Sequence, residues 1–202
     1  MKSNSGRSFN FNDFEAIVLG GSSGSVKFVM DLLRLIPYDF PLPIIMALHR
    51  PPDQATDMCL VLSKISKINV IEPDTKLILK KGTVYIAPSD FHLVIEQDKS
   101  VNIDKSPLVQ FSRPSIDVLF MSASDVFKKN LIGILITGSN KDGAFGMKTI
   151  RENGGMTIVQ NPIDSTVPRM PQAAIDATQI DYIARTEEIY NFFTEFYGKF
   201  NS

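Results

Sequence analysis

Short apolar runs alternate along most of the chain with longer segments that are apolar on one side only. The runs Glu15–Leu19, Leu42–Leu48 and Leu131–Ile136 have the length and composition of strands buried on both faces of a sheet. Between the first two, Val26–Leu35 repeats apolar residues at helical spacing, and Pro37 follows it. Strand, helix and strand in this order predict parallel strands joined by right-handed crossovers.

The same alternation continues toward the C-terminus after an interruption in the middle. Pro51-Pro52 precedes Gln54–Ile65, whose pattern predicts a helix. Gly154-Gly155 marks the end of a later helix and the approach to the next strand. The other predicted elements are helices over Ser115–Phe127, Ala144–Asn153, Pro171–Ala177 and Thr186–Tyr197, and strands over Met156–Gln160 and Asp181–Ala184.

The region Ile68–Ile103 differs from the rest because its strands are short and its turns are polar. Within it, Thr83–Ala87 and His92–Glu96 are predicted to form an antiparallel hairpin. The predicted fold class is therefore α/β, a doubly wound domain whose mostly parallel sheet carries an antiparallel hairpin insertion. We expect this domain to span residues 14–202, after a Ser- and Asn-rich flexible tail or linker remnant at residues 1–13.

Composition excludes several classes of function. The formal net charge of the 202-residue chain is −1, so no basic excess indicates binding to nucleic acid or to an anionic membrane surface. The longest apolar run, Leu131–Ile136, is too short to span a bilayer. Cys59 is the only cysteine, which precludes a disulfide within the chain and makes the cytoplasm the expected location. The N-terminus has no apolar stretch typical of a signal peptide.

Three chemically active side chains follow three of the predicted buried strands. Ser22 follows the first strand, His49 follows the second, and Asp142 lies in the loop after the central strand Leu131–Ile136. Parallel strands end at one edge of a sheet, where open α/β folds bind ligands. A hydroxyl, an imidazole and a carboxylate provide the three roles of nucleophilic acyl transfer, which are attack, proton transfer and orientation of the imidazole.

The pattern around the serine is Gly20-Gly21-Ser22-Ser23-Gly24, a G-x-S-x-G sequence between a strand and a helix. The backbone amide of Ser23, near the helix N-terminus, is the first candidate donor to an oxyanion. By itself the pattern also fits a turn that caps a helix or a loop that binds phosphate. It lacks the spacing of a dinucleotide-binding loop and the lysine of a P-loop.

Each member of the predicted triad has an alternative. His92, the other histidine, lies in a predicted hairpin strand and is expected at the surface or at a partner contact, which favours His49 as the general base. His49 also fits a structural role in which a backbone carbonyl satisfies the imidazole. Asp142 also fits a helix cap. Asp164, which follows the strand Met156–Gln160, is a rival for the orienting carboxylate.

Two further residues are candidates for contacts with the substrate. Arg113, before Pro114, is either a cation that positions the substrate or a solvated charge near a helix end. Met170, before Pro171, is either a substrate contact or ordinary packing. Two histidines and one cysteine do not favour a zinc site, and we expect neither a metal nor a cofactor.

The chain resembles the catalytic domain of the CheB-type chemotaxis protein-glutamate methylesterases. The resemblance rests on six stretches in the family's order and spacing: AIVLGGSSGS, LHRPP, GTVYIAPSDFHL, RPSIDVLF, LITGSNKDGAFGM and VQNPIDSTVPRMPQAAI. It implies a doubly wound α/β fold that hydrolyses glutamate methyl esters on the cytoplasmic helices of chemoreceptors and often deamidates receptor glutamines. It also implies that Ser22 is the nucleophile, His49 the general base and Asp142 the carboxylate that orients His49.

The chain departs from the family pattern in three places. Family members usually carry an N-terminal receiver domain, and we expect none before the first strand here, so that either the protein works without this control or the chain is a fragment. The loop Ser139-Asn140-Lys141 replaces a methionine, a glycine and a variable residue, which puts Ser139 at the expected oxyanion or substrate pocket and Lys141 next to Asp142. Ser25 replaces a glycine. These changes leave an alternative to the enzyme, a methylesterase-like module that binds a receptor but is impaired in turnover.

Overall fold

The structure, a computed structural model, describes residues 5–50 and 58–200, the last two without their side chains. This part of the chain forms ten strands, six α-helices and two short 3-10 helices. The strands are β1 (Ala16–Gly21), β2 (Ile44–Leu48), β3 (Asn69–Ile71), β4 (Leu77–Ile78), β5 (Thr83–Ile86), β6 (His92–Ile95), β7 (Ser100–Asp104), β8 (Leu131–Leu135), β9 (Met156–Gln160) and β10 (Tyr182–Ala184). The α-helices are α1 (Ser25–Leu35), α2 (Met58–Ile65), α3 (Ile116–Phe127), α4 (Ala144–Glu152), α5 (Arg169–Ala177) and α6 (Thr186–Phe200).

Seven of the strands form one sheet in the order β10-β9-β8-β1-β2-β5-β3. Every neighbouring pair in this sheet is parallel. The chain starts in the middle at β1, builds one half of the sheet with β2, β3 and β5, and later builds the other half from β8 outward. The strand order therefore reverses between β1 and β8, which opens a crevice beyond the carboxyl ends of these strands. The predicted α/β fold class is confirmed.

The predicted strands and helices along the parallel sheet are present, with shifts at their ends. Strand β1 extends to Gly21, and α5 begins at Arg169, so that Pro171 lies within its first turn, where the missing N–H is tolerated. The helix expected over Gln54–Ile65 is observed over Met58–Ile65, and its predicted first turn lies outside the described residues.

The predicted hairpin of Thr83–Ala87 with His92–Glu96 is wrong in its first strand. Strand β5 instead joins the parallel sheet between β2 and β3, and all four of its residues are buried. The antiparallel part is a separate three-stranded sheet in the order β4-β7-β6. Its hairpin turns at residues 96–99, where Lys99 has a φ of +60° and its N–H donates to the carbonyl of Glu96 at 2.9 Å. A small antiparallel insertion is thus present, but β6 pairs in it with β7 rather than with the predicted strand Thr83–Ala87, and β4 is its third strand.

The parallel sheet separates two apolar clusters. Alternate residues of β1 point to opposite faces, so Ile17 and Leu19 pack with α1, α2 and α6. Ala16 and Val18 pack in the cluster that contains α3, α4, α5 and the small antiparallel sheet. Because β1 is buried on both faces, its carboxyl end has a fixed position beneath the crevice.

The described part of the predicted N-terminal tail packs on the domain. Arg7 forms an ion pair with the fully buried Asp181 at 3.2 Å. The ring of Phe11 lies 5.4 Å from that of Phe196 on α6. Residues 5–13 are therefore in contact with the sheet and with α6, whereas residues 1–4 lie outside the described part. In the described ranges, no helix has the length and apolarity that crossing a bilayer requires.

Candidate active site

Ser22 lies directly after β1, at the start of the crevice. Its backbone N–H donates to the carbonyl of Thr137 after β8 at 2.9 Å, and its own carbonyl accepts from Ser25 at 2.9 Å. Gly24 completes the turn with a φ of +85°, and a Cβ at this position would lie 2.6 Å from the Cβ of Thr166. The turn therefore requires glycine at this position, and it holds Ser22 near the N-terminus of α1.

His49 and Asp142, which sequence analysis placed at the same sheet edge, are in direct contact. The Nε2 atom of His49 lies 2.8 Å from Oδ2 of Asp142. The backbone N–H of His49 donates to the carbonyl of Gly21 at 3.1 Å, so its position follows from the pairing of β2 with β1. Since Nε2–H donates to a carboxylate, Nδ1 is the atom of the neutral ring that is left to accept a proton.

The carboxylate of Asp142 is fully buried at the N-terminus of α3. Besides His49, it accepts hydrogen bonds from the backbone N–H groups of Ile116 at 2.8 Å and Asp117 at 3.0 Å, and from the hydroxyl of Ser115 at 3.0 Å. Burial by itself raises the pKa of Asp142, but the hydrogen bonds from His49 and from these two amides outweigh it and hold the pKa below its usual value. Asp142 is therefore an ionised partner for the imidazole.

Ser22 and His49 face one cleft. This cleft has a volume of about 570 Å³ and is also lined by Ser23, Arg50, Ser112 and other residues of the loops above the sheet. The side chain of His49 is 14% exposed, which leaves its ring accessible from the cleft. No hydrogen bond joins the Ser22 hydroxyl to His49 within the described residues, although Nδ1 lies 3.5 Å from Nδ2 of Asn140. Catalytic hydrogen bonds are often long before substrate binds.

The structure brings Ser23 and Ser139 together beside Ser22. Their hydroxyl oxygens are 3.2 Å apart, and the carbonyl of Ser23 accepts from the hydroxyl of Thr137 at 2.9 Å. The backbone N–H of Ser23 has no hydrogen-bond partner within residues 5–50 and 58–200. This free donor next to Ser22 suits an oxyanion position, which keeps Ser23 as a predicted oxyanion residue with Ser139 as its neighbour.

Of the two other substrate candidates, one lines the cleft and the other does not. Arg113 lines the cleft, but its guanidinium is engaged by Asp90, with Nε at 3.0 Å from Oδ1. Met170 is fully buried and packs against Gly138, where an added Cβ would lie 2.5 Å from its Sδ. A side chain without exposure does not touch a substrate, so we correct the candidate substrate contact of Met170 to a packing role.

The alternatives for the triad take structural positions elsewhere. His92 is fully buried rather than exposed, so its expected surface position is wrong: Nδ1 accepts from the N–H of Ser115 at 3.0 Å and Nε2 lies 3.2 Å from the carbonyl of Pro107. Asp164 accepts from the N–H of Thr186 at 2.5 Å and caps α6. Lys141 is exposed and forms no ion pair with Asp142 in the described structure.

Sequence analysis missed Asp117 and Ser115, which lie behind Asp142. Asp117, in the first turn of α3, accepts from the N–H of Gly146 in α4 at 2.7 Å. Asp142, just before α4, accepts in turn from the first amides of α3. The N-terminus of α3 is thus bound by a carboxylate that precedes α4, and the N-terminus of α4 by a carboxylate in α3. The signal in the sequence was Ser115 before a helix with an acidic first turn, which is typical of a helix start.

Asp117 gives a testable dependence of stability on pH. Burial, followed by the negative charge of Asp142, raises its pKa from 3.8 to about 6. Between pH 3.8 and about pH 6, Asp117 keeps its proton in the folded protein but loses it in the unfolded chain. The free energy of unfolding therefore falls as the pH rises through this range. We expect Asp117→Asn to raise the free energy of unfolding at about pH 8 by about 1–3 kcal/mol.

Thermal unfolding of wild type and Asp117→Asn at about pH 8 and about pH 4.5 measures this effect, and the gain is expected to shrink at the lower pH. The carbonyl oxygen of the Gln110 amide is buried without a hydrogen-bond partner, and a flip of that amide lets it accept from the new Asn. Asp125→Asn, an exposed change on the same helix, is the control. Equal stability of wild type and Asp117→Asn at both pH values would contradict the raised pKa.

The described residues hold no group of three or more His, Cys, Asp or Glu side chains arranged around a possible metal ion. The functional groups that meet at the cleft are a serine hydroxyl, an imidazole paired with a buried carboxylate, and a free backbone amide, the set that acyl transfer uses.

Comparisons with known proteins identify the family of this chain. The sequence model of the CheB methylesterase family matches residues 17–193. A putative protein-glutamate methylesterase/protein-glutamine glutaminase of Leptospira interrogans is 41% identical over 90% of this chain and 94% of the relative. The protein-glutamate methylesterase FrzG of Myxococcus xanthus is 36% identical over 80% of this chain, which covers 48% of FrzG.

A solved structure extends the comparison to the fold. The crystal structure of the Thermotoga maritima CheB methylesterase catalytic domain has a TM-score of 0.84 and 30% identity, over 90% of this chain and 98% of that domain. Family, sequence relatives and fold therefore coincide. The chain belongs to the CheB methylesterase family, a family of hydrolases.

Proposed function

We propose that the protein hydrolyses methyl esters of glutamate side chains on the cytoplasmic helices of chemoreceptors, with Ser22, His49 and Asp142 as its catalytic triad. The observation that carries the proposal is the 2.8 Å contact between His49 and the buried Asp142, at the wall of the cleft that Ser22 lines. Relatives named for this activity support the substrate class. The proposal places the enzyme in the cytoplasm, where these receptor helices lie.

In the first half of the reaction, the hydroxyl oxygen of Ser22 attacks the ester carbonyl. Nδ1 of His49 accepts the hydroxyl proton, and the ionised Asp142 stabilises the imidazolium through Nε2–H. The free N–H of Ser23 is placed to donate to the oxyanion of the tetrahedral intermediate. Nδ1–H then protonates the departing methoxide, which leaves as methanol, and the glutamyl group remains on Ser22 as an acyl-enzyme.

In the second half, water replaces the serine. His49 removes a proton from the water as it attacks the acyl carbon, and returns a proton to the oxygen of Ser22 as the ester bond breaks. The products are a free glutamate carboxylate and the original enzyme. A glutamine side chain enters the same cycle with ammonia as the leaving group, so we include deamidation in the proposal, in line with the double name of several relatives.

The alternative of a binding module with impaired turnover has little support from the geometry. Its motivation was the loop Ser139-Asn140-Lys141, in which a lysine next to Asp142 would compete with the imidazolium. Lys141 instead lies beside Phe145 and Lys148 on another part of the surface. The triad carboxylate keeps its hydrogen bond to His49, and the active enzyme remains the better proposal.

The test is mass spectrometry of receptor peptides after incubation of the enzyme with a methylated chemoreceptor cytoplasmic domain. We expect loss of the methyl group at glutamyl methyl esters with release of one methanol per site, and conversion of some glutamines to glutamates. Unchanged receptor, from an enzyme that still hydrolyses p-nitrophenyl acetate, would contradict the receptor as substrate. Unchanged receptor together with retained binding to it would support the module with impaired turnover.

A further inference from the structure

The rim of the cleft carries a tight turn that exposes a phenylalanine. Val109 and Ser112 exchange backbone hydrogen bonds of 3.2 and 2.9 Å, and the two residues between them, Gln110 and Phe111, have φ values of +47° and +63°. Left-handed backbone is unfavourable for a bulky residue, and turns of this kind favour Gly or Asn. Phe111 is nevertheless 97% exposed, so neither backbone preference nor burial accounts for a phenylalanine here.

Polar contacts hold this rim in place. The side-chain amide of Gln110 donates to Oδ2 of Asp117 at 2.6 Å, which anchors the turn to the first turn of α3. Arg113 donates to the carbonyls of Lys105 at 3.3 Å and Ser106 at 2.9 Å, and so supports the segment that leads to Leu108. The exposed phenylalanine is therefore presented by an anchored turn, and Arg113 holds the neighbouring segment of the rim through its hydrogen bonds.

The apolar side chains of this rim border the same cleft as the catalytic groups. Phe111 and Leu108, both exposed, line the cleft together with Ser22 and His49. Strained backbone that persists next to an active site is a pointer to function. We propose that Phe111, with Leu108, is a specificity-determining residue that contacts the apolar flank of the receptor helix carrying the ester; the inference rests on the proposed function.

The chemistry of the substrate explains why such a residue is useful. A methylated glutamate extends from a helix, and residues three or four positions away on that helix lie about 5–6 Å from it. When Ser22 reaches the ester carbonyl, these neighbours must face the rim of the cleft. A helix that packs in a bundle has an apolar stripe beside its polar face, so apolar side chains border the face that presents a glutamate. A rigid aromatic side chain gives a large apolar contact to such a border. A small ester lacks these neighbours.

The experiment compares kcat/KM for a methylated receptor cytoplasmic domain with kcat/KM for p-nitrophenyl acetate, in wild type, Phe111→Gly and Phe111→Tyr. We expect Phe111→Gly to lower the receptor-to-small-ester ratio at least about tenfold, mainly through a higher KM for the receptor, and Phe111→Tyr to retain most of it. Because glycine suits the positive φ, the thermal midpoint of Phe111→Gly is expected to stay equal or rise. The control is Tyr38→Gly, which removes an aromatic residue that is 73% exposed in the loop before β2, at the opposite edge of the sheet.

The outcomes separate the two proposals. A lower ratio in Phe111→Gly at unchanged or higher stability, with no change in Tyr38→Gly, supports the inference. An unchanged ratio in Phe111→Gly, while the wild type demethylates the receptor, overturns the role of Phe111 and leaves the proposed function standing. A wild type that hydrolyses p-nitrophenyl acetate but not the receptor ester overturns the proposed function and the role of Phe111 with it.

Discussion

Asp142→Asn is expected to lower kcat for ester hydrolysis by about 10⁴-fold. The carboxylate accepts Nε2–H of His49 and thereby leaves Nδ1 free to act as the base. An asparagine replaces one carboxylate oxygen with an N–H₂ group. In one orientation this group opposes both the imidazole N–H and the backbone N–H of Ile116, and in the other it opposes the backbone N–H of Asp117. In the first orientation the ring favours the other tautomer, with a proton on Nδ1, and cannot accept the proton of Ser22. In both orientations the negative charge that stabilises the imidazolium is lost. Steady-state hydrolysis of p-nitrophenyl acetate and of a methylated receptor measures the loss.

The same substitution affects stability, and its control separates the two effects. An asparagine N–H₂ group that faces the backbone N–H groups of α3 lowers the free energy of unfolding by about 1–3 kcal/mol. The kcat of the variant is therefore measured at a temperature below its own unfolding transition. Asp164→Asn is the matched control, because Asp164 is the rival carboxylate and only caps α6. Loss of stability in Asp142→Asn with near-normal kcat would assign Asp142 to helix capping alone and remove it from the triad.

The positions of the proposed triad residues at one sheet edge were predictable because they depend on where strands end. Ser22, His49 and Asp142 each follow a buried apolar run, and parallel strands carry such positions to one edge. The contact of His49 with Asp142 is possible because β2 and β8 lie on either side of β1, which brings the segments after these strands to the same edge. The fold class was predictable for the same reason, since continuous apolar runs are typical of strands covered on both faces.

Other features depend on contacts between segments that are distant in sequence. Strand β5 and the hairpin strand β6 have similar composition, and only the arrangement of the whole sheet decides which one joins it. His92 and Met170 are buried because the small antiparallel sheet and α5, to which they belong, pack against the rest of the domain. The local sequence around neither residue indicates this packing. The positive φ of Phe111 has no local signal, because the residues that favour such turns are absent.

Ser22→Ala is expected to lower the rate of methanol release from a methylated receptor by about 10⁴–10⁶-fold, because it removes the attacking oxygen. The fold should remain intact, since the contacts that position Ser22 are made by its backbone N–H and carbonyl, which alanine keeps. The matched control is Ser23→Ala, which removes the neighbouring hydroxyl but retains the amide proposed for the oxyanion. We expect the control to change the rate by less than about tenfold.

The most direct test of the proposed catalytic serine is therefore the rate of methanol release from a methylated chemoreceptor, measured side by side for wild type, Ser22→Ala and Ser23→Ala. The predicted result is release by wild type and by Ser23→Ala, and no release above background by a folded Ser22→Ala. Equal rates for wild type and a folded Ser22→Ala would contradict the assignment of Ser22 as the nucleophile.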